Sequence, residues 1–169
     1  MKMNSFSRKE LFFHIYSILS YQFNEKFASE FLNLFEKMTF KFSKNTGKVK
    51  HIFINKILQA NYRPSLGTFS ITIDTAKRIL PKMDFPNFRV QVQSDVSEFI
   101  ADGKSVFAKH VKSIDPNLRI GNEVFIVDEQ DNLLAVGKLS LPPNYIPCFK
   151  FGSAVNVRQG INSKKVIKS

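Results

Sequence analysis

One stretch of the sequence combines a glycine, basic side chains and an aromatic ring in an order that suits contact with a phosphate backbone. It runs Gly103-Lys104-Ser105-Val106-Phe107-Ala108-Lys109-His110. Without a side chain, Gly103 lets a phosphate or a sugar approach the main chain. Lys104 and Lys109 supply positive charge, and Phe107 offers a face for stacking. A purely structural interpretation fits equally well, in which Gly103 ends a helix, Phe107 packs in the core and the lysines are solvated.

Candidates for catalysis or metal binding are few. The three histidines have no carboxylate or cysteine at ligand spacing, and no phosphate-binding loop, nucleophile elbow or dinucleotide fingerprint occurs. Asp74 and Asp95 stand where helix caps are expected. Cys148 is the only cysteine and lies in an apolar stretch, so we expect a buried thiol without a disulfide. We therefore predict no catalytic residue, no metal and no cofactor.

The charge of the chain favours a polyanionic partner. Lys and Arg number 25 against 14 Asp and Glu, which gives a formal net charge of +11. Each phosphate that such a protein neutralises releases condensed counterions, although charge alone does not separate RNA from DNA or from an anionic membrane. Residues 1–88 hold 14 basic and 6 acidic side chains, or +8, and residues 89–169 hold 11 and 8, or +3. The electrostatic footprint should therefore extend into the first half.

The fraction of apolar residues and the length of apolar runs predict where in the cell the protein resides. Hydrophobic residues make up 43% of the chain, which is enough for a globular fold. No apolar run is long enough to cross a bilayer, and the opening MKMNSFSRKE does not form a signal sequence. We expect a cytoplasmic protein that makes no membrane contact.

The second half of the chain predicts a set of short strands around the glycine and its lysines. The runs KSVFAKHV, EVFIVD, LLAVGKLSL and AVNVR are separated by turn residues. Such strands bury their apolar faces only in a sandwich or a barrel, so we expect an antiparallel sheet that curls on itself. Ahead of these runs, Val90 and Val92 predict another strand, and a short helix capped by Ser94 or Asp95 ends at Gly103.

The first half predicts two helices followed by a small antiparallel sheet. Apolar residues recur at helical spacing after Ser7, which forms a capping box with Glu10, and again after Asn24, which acts as a cap. Alternating runs on either side of Lys44-Asn45-Thr46-Gly47 predict a hairpin, and a third strand follows over residues 57–62. A further strand and a helix complete the segment. The predicted fold class is α+β.

The second half also resembles a known module. GKSVFAKHV, DPNLRIGNEVFIVDEQDNLLAVGKL and FKFGSAVNVRQG closely resemble a PUA domain, the RNA-binding module shared by pseudouridine synthases and archaeosine transglycosylases. The order, spacing and turn positions of the module are kept. The resemblance implies a C-terminal β pseudo-barrel, in which the stretch from Gly103 to His110 lines an RNA cleft together with the final strand, Ser153 to Arg158.

The predicted RNA contacts follow from this resemblance in the second half and from charge in the first. In the second half they are Gly103, Lys104, Ser105, Phe107, Lys109, His110, Lys150, Ser153 and Arg158. Core packing is the stronger expectation for Phe107, and a tolerated surface residue the stronger one for His110. In the first half they are Arg63, Lys77 and Arg78. Lys44, Lys48 and Lys50 form a solvated charge run by default, with an RNA-binding edge as the alternative.

The first half is similar to a second known segment. KFSKNTGKVKHIFIN, NYRPSLGTFSITIDTAKRIL and FRVQV resemble the segment that precedes the PUA domain in archaeal tRNA-guanine transglycosylases. Nothing resembles the catalytic barrel of those enzymes, which needs roughly 200 residues or more. We expect an N-terminal α+β domain over residues 1–86, a PUA domain over 87–160 and a basic tail over 161–169.

The two resemblances imply a non-enzymatic protein that binds structured RNA, with a tRNA as the expected partner. It would serve as a detached RNA-binding subunit for a separately encoded tRNA-modifying catalytic subunit. Two alternatives stay open: a translation factor associated with ribosomes, and a stand-alone RNA-modifying enzyme. Copurification with ribosomal subunits would favour the first alternative, and an altered nucleoside in treated tRNA would favour the second.

Overall fold

The computed structural model describes residues 7–163, and the chain divides into two compact units, Met1–Met83 and Asp84–Ser169. We call them the N-terminal unit and the C-terminal unit. The predicted basic tail falls outside the described residues from position 164 onward. The described part of that tail, residues 161–163, forms a turn in which the Ser163 N–H donates to the Gly160 carbonyl at 3.2 Å.

The N-terminal unit contains three α-helices: α1 (Arg8–Gln22), α2 (Glu25–Leu32) and α3 (Ile73–Ile79). The predicted capping box at the start of α1 is confirmed. The Ser7 hydroxyl accepts from the Glu10 N–H at 3.2 Å, and the Glu10 carboxylate accepts from the Ser7 N–H at 2.7 Å. Hydrogen bonds from the Ser7 hydroxyl and N–H lower the pKa of Glu10. None of the helices described between residues 7 and 163 is long and apolar enough to cross a bilayer.

The predicted cap of α2 is also confirmed and has a measurable consequence. The Asn24 side-chain oxygen accepts from the Phe27 N–H at 2.7 Å. Because Asn24→Ala leaves this N–H without a partner, we expect it to lower the free energy of unfolding by about 1 kcal/mol in urea denaturation. Asn24→Ser keeps a side-chain acceptor, so its free energy of unfolding should fall much less. Equal losses in the two variants would show that the cap does not stabilise the helix.

A four-stranded antiparallel sheet follows α2, with the order β1-β2-β3-β4. Its strands are β1 (Met38–Phe42), β2 (Val49–Ile54), β3 (Ile57–Arg63) and β4 (Thr68–Ile71). Ile52, Ala60 and Ile71 lie side by side across three strands and are buried. The predicted hairpin is confirmed, and the tight turn between β2 and β3 places Asn55 and Lys56 in the left-handed region, with φ values of 49° and 65°.

The cap of α3 differs from the prediction. The N-cap is Thr72, whose hydroxyl accepts from the Thr75 N–H at 3.4 Å, and not Asp74. The Thr72 hydroxyl also donates to the Leu58 carbonyl at 2.9 Å, so the sheet holds this residue at the start of the helix. Asp74 lies instead in the first turn of α3, where its negative charge interacts favourably with the positive end of the helix dipole.

The C-terminal unit is built on a six-stranded sheet with the order β6-β10-β9-β8-β5-β7. The strands are β5 (Arg89–Val92), β6 (Val106–Phe107), β7 (Val111–Ile114), β8 (Glu123–Val127), β9 (Leu133–Leu139) and β10 (Ser153–Gly160). Only a 3₁₀ turn, Ala108–His110, separates β6 from β7, although these strands are the two edges of the sheet. The sheet therefore curls until its edges meet, which confirms the predicted pseudo-barrel.

Three details of this unit correct the sequence-based prediction. The run KSVFAKHV is not one strand, because the 3₁₀ turn breaks it into β6 and β7. The sheet is mixed, since β5 and β8 run parallel while the other neighbours are antiparallel. The short helix α4 (Ser97–Ala101) has neither Ser94 nor Asp95 as its cap, because both belong to a preceding 3₁₀ turn, Ser94–Val96.

Candidate nucleic-acid interface

The fold brings together the two elements that the sequence predicted to form a cleft. Strands β6 and β10 pair antiparallel, so that Phe107 lies opposite Ser153. The Ala108 N–H donates to the Gly152 carbonyl at 3.0 Å and extends the pairing by one bond. This pairing closes the barrel. It also places the stretch from Gly103 to His110 beside the last strand.

Gly103 has a clear structural use. Its φ of +99° and the bond from its N–H to the Ile100 carbonyl at 2.9 Å mark it as the residue that ends α4. A Cβ atom on Gly103 would lie 2.9 Å from the Ser163 hydroxyl, so the turn after β10 packs directly against it. The glycine thus fixes the path of the chain into Lys104, whose side chain is exposed.

Phe107 is 51% exposed, which contradicts the expectation that it packs in the core. Its neighbour Val106 is fully buried. Successive side chains of a strand point to opposite faces, so the burial of Val106 turns Phe107 outward. An exposed aromatic ring is available for stacking on a base.

Three exposed lysines belong to the segments that pair here: Lys104 precedes β6, Lys109 follows it, and Lys150 precedes β10. Within residues 7–163, none of them forms an ion pair with a carboxylate. By contrast, Lys112 on strand β7 is paired with Glu129. We define Lys104, Phe107, Lys109 and Lys150 as the β6–β10 face, whose positive charges have no carboxylate partner in the described part of the chain.

Two more aromatic residues, which the sequence analysis did not single out, flank Lys150. Phe149 is 43% exposed and Phe151 is 86% exposed. The pattern aromatic, base, aromatic, followed by a glycine, could have identified this loop as a stacking platform. Cys148, which precedes it, is exposed, so the expectation of a buried thiol is wrong. Cys148 is the last residue of the 3₁₀ turn Pro143–Cys148, in which Pro143 and Ile146 are the buried residues.

Arg158 forms an ion pair within the C-terminal unit. Its guanidinium forms a bidentate ion pair with Glu123, with Nη1 to Oε1 at 2.9 Å and Nη2 to Oε2 at 2.5 Å. The Glu123 side chain is only 6% exposed and that of Arg158 is 28% exposed. Because the pair neutralises the arginine, Arg158 contributes much less positive potential than the three lysines do.

The remaining predicted residues of this unit are held by local contacts. The Ser153 hydroxyl donates to the Val155 carbonyl at 3.1 Å. His110 is half-buried, with Nδ1 3.4 Å from the side-chain oxygen of Gln93. Ser105 is half-buried between Lys104 and β6.

Arg78 in the N-terminal unit makes structural contacts with α2. Nη1 donates to the Glu30 carbonyl at 2.8 Å and Nη2 to the Phe31 carbonyl at 3.4 Å, which satisfies the C-terminal end of α2. The guanidinium also lies 5.6 Å from the centre of the Phe31 ring. Burial lowers the pKa of Arg78. These contacts hold the guanidinium against α2, and its contact with RNA stays a prediction.

The other two predicted residues of the N-terminal unit remain accessible. Lys77 is exposed on α3 and lines a cavity of about 370 Å³ together with Asp74. Arg63 ends β3 and is half-exposed, and its carbonyl accepts from the Gly67 N–H at 2.9 Å in the following loop. Their contact with RNA stays a prediction.

Comparison with known families agrees with this geometry. Residues 88–161 match the PUA domain, and residues 14–86 match the patch-forming domain C2 of tRNA-guanine transglycosylase. The chain is therefore a PUA-domain protein. More particularly, its two domains correspond to the C-terminal region of the archaeal tRNA-guanine transglycosylase family.

Individual relatives show how much of that family the chain covers. The tRNA-guanine(15) transglycosylase of Methanococcus maripaludis strain S2 is 36% identical over 150 residues, which are 88% of this chain and 23% of that protein. The enzyme of Methanobrevibacter smithii is 41% identical over 119 residues, 70% of this chain and 18% of that protein. The chain thus spans less than a quarter of the length of these curated relatives.

A solved structure shares the fold. The crystal structure of a hypothetical protein from Pyrococcus horikoshii OT3 matches with a TM-score of 0.71 and covers 94% of each chain. The two sequences are 24% identical, so this likeness concerns the fold alone.

Proposed function

We propose that this protein binds structured RNA, and a tRNA in particular, through the β6–β10 face of its PUA domain. The observation that carries the proposal is the exposed ring of Phe107 on a strand flanked in the chain by Lys104 and Lys109, which have no carboxylate partner among the described residues. Relatives named tRNA-guanine(15) transglycosylase contain the same two domains, which supports tRNA as the ligand.

The chemistry of the face favours recognition of shape over sequence. A-form helices hide their base edges in a deep and narrow groove, so lysines reach phosphates and ribose more readily than bases. Lys104, Lys109 and Lys150 would contact the backbone of a helical stem. Phe107, with Phe149 and Phe151 beside it, would stack on bases that are unpaired at the end of the stem.

The proposal assigns catalysis to a separate chain. This chain matches 23% of the length of the M. maripaludis enzyme, and the matched part consists of the two domains described above. We therefore infer an accessory role, in which the protein delivers or positions a tRNA for a tRNA-modifying catalytic subunit. Affinity purification from cells should recover tRNA and such a subunit. Recovery of ribosomal subunits instead would favour a translation factor, and an altered nucleoside in tRNA treated with the purified protein would favour an enzyme.

The RNA-binding proposal predicts that reversing two charges of the face weakens binding. Lys104→Glu with Lys109→Glu should reduce affinity for total tRNA roughly 10- to 100-fold at low salt and reduce the slope of log K against log salt by about 2, because two phosphate contacts are lost. Fluorescence anisotropy over a salt series measures both quantities.

A matched control separates a specific site from a general effect of net charge. Lys9→Glu with Lys56→Glu changes the net charge by the same amount at exposed positions of the N-terminal unit, on α1 and in the β2–β3 turn. This variant should keep most of the affinity. Equal binding by the two double variants, both with wild-type circular dichroism and melting, would contradict the proposed interface.

A further inference from the structure

The β-sheet of the N-terminal unit carries cations and no anions. Between Met38 and Ile73 the sequence contains no Asp and no Glu. The same stretch contains six basic residues: Lys41, Lys44, Lys48, Lys50, Lys56 and Arg63. Four of these six, at positions 41, 44, 48 and 50, gather at the end of the sheet where β1 turns into β2, and they are exposed. Positive potential is therefore concentrated at that end.

These four lysines line a pocket. Its volume is about 380 Å³, within the range of about 300–1,000 Å³ that is usual for small-molecule sites. Phe42, Tyr62 and Pro64 supply flat apolar walls, and the buried Val49 also lines it. A phosphate alone would fill only a fraction of this space. The pocket has room for a planar ring between the apolar walls and for an anion near the lysines.

The loop that carries the lysines is ordered by its own hydrogen bonds. The Ser43 N–H donates to the Lys48 carbonyl at 2.8 Å, and the Gly47 N–H donates to the Ser43 carbonyl at 2.9 Å. Gly47 has a φ of +65°, the left-handed value that such a turn needs. The lysines therefore extend from a defined backbone, and binding does not have to order the loop.

Two hydroxyl groups that line the pocket accept hydrogen bonds from the backbone of the same loop. The Ser43 hydroxyl accepts from the Thr46 N–H at 3.3 Å, and the Thr46 hydroxyl accepts from the Lys48 N–H at 3.4 Å. Neither hydroxyl donates to an acceptor within residues 7–163, so each keeps its O–H for a ligand. The lysines likewise have no carboxylate partner in this part of the chain. The pocket thus offers donors of two kinds and no acceptor with negative charge.

We propose that this pocket is a second RNA-binding site, which takes one unstacked nucleotide: its base against Phe42 and Tyr62, and its phosphate on Lys44 and Lys48. The inference rests on the proposed RNA-binding function and extends it to the N-terminal unit. Tyr62 suits stacking on the base because its ring packs against that of Phe69, with the two ring centres 5.3 Å apart. This contact holds one wall of the pocket in place. Charge attracts the backbone, and the flat walls select a nucleotide over an inorganic ion.

The test compares RNA binding by the full chain in four forms: the wild type, Lys44→Glu with Lys48→Glu, the face variant Lys104→Glu with Lys109→Glu, and the control Lys9→Glu with Lys56→Glu. Lys56 lies in the same sheet but at its opposite end. Total tRNA is the probe, and anisotropy is the readout. The pocket variant should bind roughly 10-fold more weakly than the control, with a salt slope lower by about 2. Phe42→Leu should lower the affinity for tRNA roughly 5- to 20-fold and leave the slope of log K against log salt unchanged, because stacking is not ionic.

The outcomes separate the two claims. If the face variant is weakened while the pocket variant binds like the control, the pocket is not an RNA site and the proposed function stands. If the wild type itself does not bind tRNA, the proposed function and the pocket are both overturned. If the lysine reversal weakens binding but Phe42→Leu does not, the pocket holds only a phosphate and the nucleotide assignment is wrong. Melting curves like that of the wild type exclude misfolding as the cause.

Discussion

Gly160→Ala should cost the C-terminal unit about 4 kcal/mol or more of its free energy of unfolding. A Cβ atom at this position would lie 2.1 Å from the Ala101 carbonyl oxygen and 2.7 Å from the Gly103 nitrogen. These are backbone atoms, which cannot rotate away as the end of a side chain can. The end of β10 must therefore separate from the end of α4, and thermal unfolding followed by circular dichroism would record the loss.

Gly152→Ala is the matched control for this variant. A Cβ atom there meets nothing within 4 Å, but the φ of +100° is unfavourable for alanine. Gly152→Ala should therefore lose only about 1–3 kcal/mol from backbone strain. If Gly160→Ala melted at the same temperature as Gly152→Ala, close packing of β10 on α4 would not be what requires the glycine.

Arg89→Met should lower the free energy of unfolding by about 3 kcal/mol, because it removes a buried cation and strands its partners. The side chain of Arg89 is 3% exposed. Nε donates to the Asp131 carboxylate at 2.7 Å, and Nη1 donates to the carbonyls of Asp84 at 3.2 Å and Asn87 at 3.1 Å. Methionine keeps much of the apolar stem, so the loss reports mainly the polar contacts.

An exposed arginine of the same unit provides the comparison. Arg119 is exposed between β7 and β8, so Arg119→Met should change stability by less than about 0.5 kcal/mol. Urea denaturation measures both variants under the same conditions. Equal stability of the Arg89 and Arg119 variants would mean that the hydrogen bonds of Arg89 are replaced by water at no cost.

The sequence was sufficient for features whose partners lie close along the chain. The caps at Ser7 and Asn24 were predicted because each partner stands three residues away. The hairpin around Gly47 and the strands β8, β9 and β10 of the barrel followed from alternation and turn residues in the same way, whereas the turn that divides KSVFAKHV into β6 and β7 did not. The excess of positive charge, and its concentration in the first half, is likewise a property of composition alone.

Only the tertiary structure decided which basic and aromatic side chains are free. Arg158 meets Glu123 across 35 residues of sequence, and Arg78 meets the Glu30 carbonyl across 48. Phe107 faces solvent because Val106 fills the core, and Gly160 is required because α4 approaches it. Charge and ring type are local properties of the chain. Their availability to RNA depends on neighbours that the closure of the barrel and the packing of the helices bring in from distant positions, and no local pattern encodes those neighbours.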